Sequence, residues 1–409
     1  MPGRRSRLAF TYAALAAIVL SVGAPAAVAA PVPATRRAAP DCQTRATPAK
    51  FVADDPWAQR RYPPDRLAAL ATGAGVTVAV IDSGVDADHP QLRGRVADGT
   101  DLLDSGGDGT DDCVYHGTAV ASIIAATPRD GVRFRGLAPQ AKILPVRVSE
   151  QQNLDDDQKQ RTVTQQGFAQ AIRWAVDHDA DVINLSVVLY EDNPAVRDAI
   201  AYAIGRNVVV VAAVGNRSEE GNPRPYPASY DGVLGVGAID ENGVRAPFSQ
   251  TGPWVDLVAP GVGVLAATAG PGHSRHDGTS YAAPFVAATA ALLRQYQPRL
   301  PAAEVAARIV AGTDPAPDGG RSNAYGSGVL NPYRALTDTR PAGAAPTAAA
   351  LPAEQADPVA VAARQRRDRA GERSLWMAGV AGGLVALALF LAVVLPRGAR
   401  RGWQPAGRG

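Results

Sequence analysis

The run VTVAVIDSGVDADHP, residues 76–90, decides the fold. Its first half is continuous, apolar and β-branched, the pattern of a strand covered on both faces in a parallel sheet, and it stops on Asp82 before turning at Gly84. Similar runs recur at 141–148 (AKILPVRV), 180–188 (ADVINLSVV), 207–215 (NVVVVAAVG) and 232–239 (GVLGVGAI). Helix-like stretches such as FAQAIRWAVDH, 168–178, lie between them. The alternation predicts an α/β fold, a doubly wound and mostly parallel sheet whose ligands gather at the carboxyl ends of the strands. Asp82 stands at such an end, where a turn-forming role is the plainer reading and a functional one the sharper. Acidic or polar insertions at 98–112 and 149–166 read as surface loops.

The second informative stretch is HDGTSYAAPFVAATAALLRQY, 276–296. Ala and Leu favour helix, and Phe285, Ala288, Leu292 and Tyr296 recur at spacings of three and four. Pro284 lacks an N–H and is comfortable in a first turn, which places Ser280 at the helix start. A hydroxyl there either caps the helix or acts as a nucleophile, because the same N–H groups and dipole favour negative charge beside it.

The 409 residues, 46% hydrophobic and 20% charged, suffice for one large core or two modest ones. A net charge of +2 implies no nucleic-acid partner. At the N-terminus Arg4, Arg5 and Arg7 precede an apolar run over 8–22 and the small residues Ala27, Val28 and Ala29, which reads as an export signal over 1–29 cleaved after Ala29; an uncleaved anchor is the alternative. Residues 30–70, rich in Pro, Arg and Ala, read as an extended N-terminal arm, and 71–337 as the α/β domain. A Pro/Ala-rich linker follows over 338–374. Residues 375–395 carry no charge and span ~31 Å as a helix against a hydrocarbon core of ~30 Å, so they read as a membrane span with a short cytoplasmic tail, 396–409. The export signal puts the α/β domain outside the membrane. Cys42 and Cys113 are the two cysteines, and in an exported chain an even pair bridges more often than not.

His116, in DCVYHGTAVASIIAA, opens another helix of small and apolar residues at a polar, Gly-containing junction, a setting the other four histidines lack. Asp82, His116 and Ser280 together supply what acyl transfer requires. A serine hydroxyl is a poor nucleophile until an imidazole takes its proton, and the imidazole needs a carboxylate to fix its tautomer. Asn216, after the strand ending VVVVAAVG, either makes a turn or offers a side-chain N–H to a tetrahedral oxyanion; the backbone N–H of Ser280 offers a second.

The blocks VAVIDSGVDADHPQL, HGTAVASIIA, VVAAVGN and GTSYAAPFVA resemble the four signature motifs of the subtilisin-like serine proteases in their Asp, His, Asn, Ser order, and YPASYDGVLGVGAID at 226–240 is similar too. The resemblance spans about 73–336. It implies a subtilisin-like fold with Ser280 as nucleophile, His116 as general base and then acid, Asp82 as its orienting partner and Asn216 as oxyanion donor. The PWAQ element at 56–59, the DC…HGT block, the linker and the C-terminal span further resemble the mycosins, membrane-anchored subtilases of type VII secretion systems. That likeness implies an arm that wraps the domain, with a Cys42–Cys113 bridge stapling it, protein or peptide substrates, and a place beside a secretion membrane complex, where a purely structural role is the alternative to proteolysis. Two departures stand out: INLSVVLYED at 183–192 lacks the glycines usual after this serine, and the second cysteine pair of many mycosins is missing. Asp98, Asp101, Asp104, Asp108, Asp111 and Asp112 raise the question of a structural calcium ion, but their spacing is not that of an EF-hand and a solvated acidic loop is expected, with no cofactor. An unrelated α/β hydrolase is excluded by the order of the three residues and the lack of G-x-S-x-G around Ser280.

Overall fold

The computed structural model describes residues 48–150, 161–317, 319–338 and 395–397. Two short helices, α1 (Trp57–Arg61) and α2 (Pro64–Ala68), precede a seven-stranded sheet. Its strands are β1 (Thr77–Asp82), β2 (Thr100–Asp101), β3 (Lys142–Arg147), β4 (Val182–Leu185), β5 (Val209–Ala213), β6 (Val233–Ile239) and β7 (Leu257–Pro260). They lie in the order β2-β3-β1-β4-β5-β6-β7 and pair in parallel throughout. The crossovers carry α3 (His116–Ala125), α4 (Gln165–Asp177) and α5 (Pro194–Gly205). After β7 come an antiparallel hairpin, β8 (Val264–Ala267) and β9 (His273–His276), and then α6 (Thr279–Tyr296), α7 (Ala302–Ala311) and α8 (Pro332–Thr337).

Strand β1 is central because both of its edges are paired: Val78 lies opposite Ile143 of β3 on one side and Val182 of β4 on the other. Its side chains alternate between two cores, Val78 and Val80 joining α3 and α6, Ala79 and Ile81 joining α4 and α5. This is why the run shows no polar face. The chain leaves β1 on one side and returns on the other, so the carboxyl ends of β1 and β4 flank a crevice where ligands bind in sheets of this kind. Helix α6 packs beneath that crevice with every residue from Thr279 to Arg294 buried, as a helix apolar all round must be. Helix α4 is amphipathic instead, burying Phe168, Ile172 and Val176 and leaving Asp177 outside.

The arm corrects one expectation. It carries regular structure, and Trp57, Ala58, Tyr62 and Leu67 belong to the same core as α3 and α6. The Trp57 indole donates to Val262 O at 3.0 Å, and the Tyr62 hydroxyl to Leu330 O at 2.8 Å. Ahead of α1, Ala49 N donates to Ala269 O at 3.1 Å, and His273 N to Lys50 O at 3.1 Å. The expected 149–166 loop is in part a paired stem, Glu150 N donating to Arg161 O and Val163 N to Val148 O, and Thr164 caps α4. The predicted export signal, Cys42 and the predicted linker and membrane span lie outside the described residues, save Asp338 and Leu395 at their edges. Among the described residues no helix is long and apolar enough to cross a membrane.

Candidate active site

Strand β1 delivers Asp82 to the rim, 1% exposed. Its Oδ1 accepts from Ser83 N at 2.7 Å and from His116 Nδ1 at 2.7 Å. An ionised carboxylate only accepts, so Nδ1 carries the proton and Nε2 is left as the basic nitrogen. His116 is the first residue of α3 and is 3% exposed. It is held there by a reversed turn and a buried acid. Tyr115 adopts φ 62°, an uncommon value for a non-glycine residue, immediately before the helix. The Asp112 carboxylate then collects the N–H groups of Val114, Tyr115 and Thr118 at 3.2, 2.8 and 2.8 Å, the Thr118 hydroxyl at 2.7 Å and the Ser83 hydroxyl at 2.9 Å. Burial pushes the Asp112 carboxyl up to about 6, with the charge of Asp82 adding to the rise and the Thr118 and Ser83 donors opposing it. Ser83 Oγ also accepts from Gly117 N at 2.9 Å, which ties α3 to the end of β1. A Cβ on Gly117 would stand 2.1 Å from Gly84 O, so only glycine lets the two elements close.

Helix α6 brings Ser280 to the same rim as its second residue, 7% exposed. The preceding Gly278 has φ 150°, and a Cβ there would lie 3.1 Å from Ser280 Oγ. Asn216 Oδ1 accepts from Thr279 N at 2.9 Å and from Thr279 Oγ1 at 3.0 Å, while Gly215 N donates to that hydroxyl at 3.1 Å. With Oδ1 engaged on the helix start, the Asn216 amide group faces the other way. The ring of Tyr281, the residue after Ser280, lies 5.2 Å from that of His116. Asp82 at the end of β1 is thus joined to His116 at the start of α3, His116 to the residue after Ser280 in α6, and Asn216, in the turn after β5, to the residue before Ser280.

Pro284 is the sixth residue of α6, not a first-turn residue as expected. Its missing N–H leaves the carbonyl of Ser280 without a helical donor. The Ser186 hydroxyl, just beyond β4, takes that place at 3.1 Å and is itself held by Asn184 Nδ2 at 3.0 Å. Ser186, Thr279, Ser83 and Asp112 are the site residues that sequence reasoning passed over. A proline four residues after a candidate nucleophile was the available signal for Ser186, since a buried carbonyl demands another partner.

The acidic insertion is only in part the solvated loop expected: Asp98, Asp108 and Asp111 are exposed, whereas Asp101 and Asp112 are buried. Arg147, fully buried at the end of β3, pairs with Asp101, with Asp104 at 3.0 Å and with Glu150, and Arg161 reaches Asp104 at 2.7 Å. The Arg161 hydrogen bond is the main cause that holds the Asp104 carboxyl below its usual range. Among the described residues no group of three or more His, Cys, Asp or Glu is arranged to hold a metal ion. Cys113 is buried beside Arg147 and is not a free thiol. The glycine-poor segment after β4 is closed by main-chain bonds: Leu189 and Tyr226 exchange two, each 2.7 Å, and the Tyr190 hydroxyl donates to Gln250 Oε1 at 3.1 Å.

Residues 73–328 match the subtilase family, peptidase S8. The chain is 36% identical to mycosin-1 of Mycobacterium tuberculosis over 339 residues, 71% of this chain and 75% of that protein. It is 40% identical to a thermophilic serine proteinase of Bacillus sp. strain AK1 over 221 residues, 54% of this chain and about half, 52%, of that protein's length. Among solved structures, MycP1 from Mycobacterium smegmatis is similar with a TM-score of 0.64 and 30% identity over 74% of this chain and 89% of that one. The MycP3 protease from the type VII (ESX-3) secretion system is similar with a TM-score of 0.61 and 30% identity, over 72% of this chain and 91% of that one.

Proposed function

From the premise that this chain belongs to the subtilase family, we propose that it is a membrane-anchored serine endopeptidase acting outside the cytoplasmic membrane on proteins of a type VII secretion system. The observation that supports the catalytic part is the 2.7 Å bond between His116 Nδ1 and Asp82 Oδ1, with Ser280 next to Tyr281, whose ring lies 5.2 Å from that of His116, and Asn216 bonded to Thr279 on its other side. Ser280 Oγ attacks the scissile carbonyl carbon while His116 Nε2 takes its proton, and Asp82 steadies the resulting imidazolium. Asn216 Nδ2 and the Ser280 N–H, which makes no hydrogen bond among the described residues, receive the oxyanion. His116 then protonates the leaving amine, and water returns the acylated Ser280 to its starting state.

The secretion setting rests on the relatives named for it and on sequence features: the signal at 1–29, the arm at 30–70, the catalytic domain at 71–337, the linker at 338–374 and the span at 375–395 with its tail at 396–409. A Cys42–Cys113 bridge completes the reading and would contribute about 4 kcal/mol by constraining a loop of this length. A fluorophosphonate probe tests the chemistry: it should label the wild-type chain and not Ser280→Ala, and equal labelling would end the protease reading. Comparison of the exported proteins of a wild-type strain and a Ser280→Ala strain tests the substrate class, a cleaved terminus present only in the former being the expected result.

A further inference from the structure

Two side chains outside the four residues of the proposed mechanism line up against its imidazole. The ring of Tyr281 lies between those of His116, 5.2 Å away at 55°, and His276, 4.7 Å away at 23°. His276 ends β9, and its Nε2 shares a 2.6 Å hydrogen bond with the hydroxyl of Ser274, two residues back on the same side of the strand. The stack runs from β9 through the first turn of α6 to the first residue of α3, joining three elements that are far apart in sequence.

We propose that Tyr281 and His276 form a positioning unit for the catalytic imidazole: the phenol ring fixes the attitude of His116 and favours its cationic form, and His276, anchored on Ser274, holds the phenol ring. The inference rests on the protease reading above. A tilted aromatic ring beside an imidazole attracts it more strongly once it is charged, and charge develops on His116 only as Ser280 gives up its proton. An imidazole is suited to the outer place in the stack because it stays neutral there. Burial and the neighbouring His116 push His276 down to about 4, with Asp277 opposing. Burial pushes the Tyr281 phenol far up, aided by Asp82, Asp112 and Asp277, so it too remains uncharged. A permanent cation at 276 would instead disfavour the imidazolium.

The test compares kcat, KM and the pH profile of kcat/KM on a quenched fluorescent peptide selected with the wild-type enzyme, using the full-length chain in detergent and normalising to the fraction labelled by fluorophosphonate. His276→Ala and His276→Gln, which lack the ring, should lose kcat by about tenfold with KM changed less than about twofold, and Tyr281→Ala by more. His276→Phe, which keeps the stack without the Ser274 bond, should recover to within about threefold of wild type. His276→Arg should move the acid limb of the profile down by about half a unit or more, because a positive neighbour lowers the pKa of His116. Wild-type kcat and an unmoved acid limb in the Ala, Gln and Arg variants would overturn the inference while Ser280-dependent turnover left the protease reading standing. Recovery by Gln and not by Phe would overturn the stack as well. Turnover that survives Ser280→Ala would remove the protease reading and this inference with it.

Discussion

Helices α3 and α6 both begin at the rim of the cleft, yet their first turns are finished in opposite ways. At α3 the protein supplies its own anion: the Asp112 carboxylate takes three backbone N–H groups, that of Thr118 in the first turn among them, and two hydroxyls, while Ser83 Oγ takes Gly117 N. At α6 Thr279 N is taken by Asn216 Oδ1, a neutral acceptor, and the Ser280 N–H is left without a partner among the described residues. A helix start is an anion site by its orphan N–H groups and its dipole. The first is closed and holds a base in place. The second is open, which suits it to charge that exists only during reaction.

The strongest way to break this contrast is to remove the groups at the open start. Ser280→Ala should lose on the order of 10⁶ in kcat, the magnitude known for subtilisin itself, with the fold unchanged by circular dichroism. Asn216→Ala should cost about 10²–10³ in kcat with little change in KM if the proposed oxyanion role holds, again the scale known for subtilisin, with an added stability cost from the Thr279 N–H it strands. The closed start should respond in stability first. Asp112→Ala strands five donors and should cost about 3 kcal/mol in denaturant unfolding, with a fall in kcat as His116 loosens. Ser186→Ala, which removes the surrogate donor for the Ser280 carbonyl, should cost about 1 kcal/mol and less than tenfold in rate.

A further test is a pH dependence. Asp112 has a raised pKa in the fold, so its contribution to stability is fully present below the unfolded value near 4 and is lost as pH rises through about 6. The stability advantage of wild type over Asp112→Asn should therefore shrink between pH 4 and pH 6.5. Growth of that advantage would mean that the five donors outweigh burial and that α3 prefers its anion charged.

The sheet and the pairing of Asp82 with His116 were legible because they rest on local pattern. Strand β1 announces itself by continuous apolar residues, and Ser280 and His116 by small-residue helices that follow a glycine-containing turn. What escaped notice depends on partners remote in the chain. Asp112 looks like one more acid in an acidic loop until Ser83, 29 residues earlier, is brought under it. Arg147 reads as an ordinary basic residue until Asp101 and Glu150 close over it at zero exposure. The arm seemed irregular because its order comes from contacts such as Tyr62 to Leu330, 268 residues apart, which no periodicity of two or 3.6 can register. The hairpin β8–β9 was missed because HSRH carries no apolar alternation of its own.

That hairpin links two places usually thought of separately. Strand β9 has four residues, and both of its ends are gripped: His273 Nδ1 receives the Val52 N–H at 3.2 Å, and His276 lies on Tyr281. A rod of roughly 10 Å has no slack. Any displacement of Val52 would therefore bear on a segment whose far end rests against the residue next to Ser280.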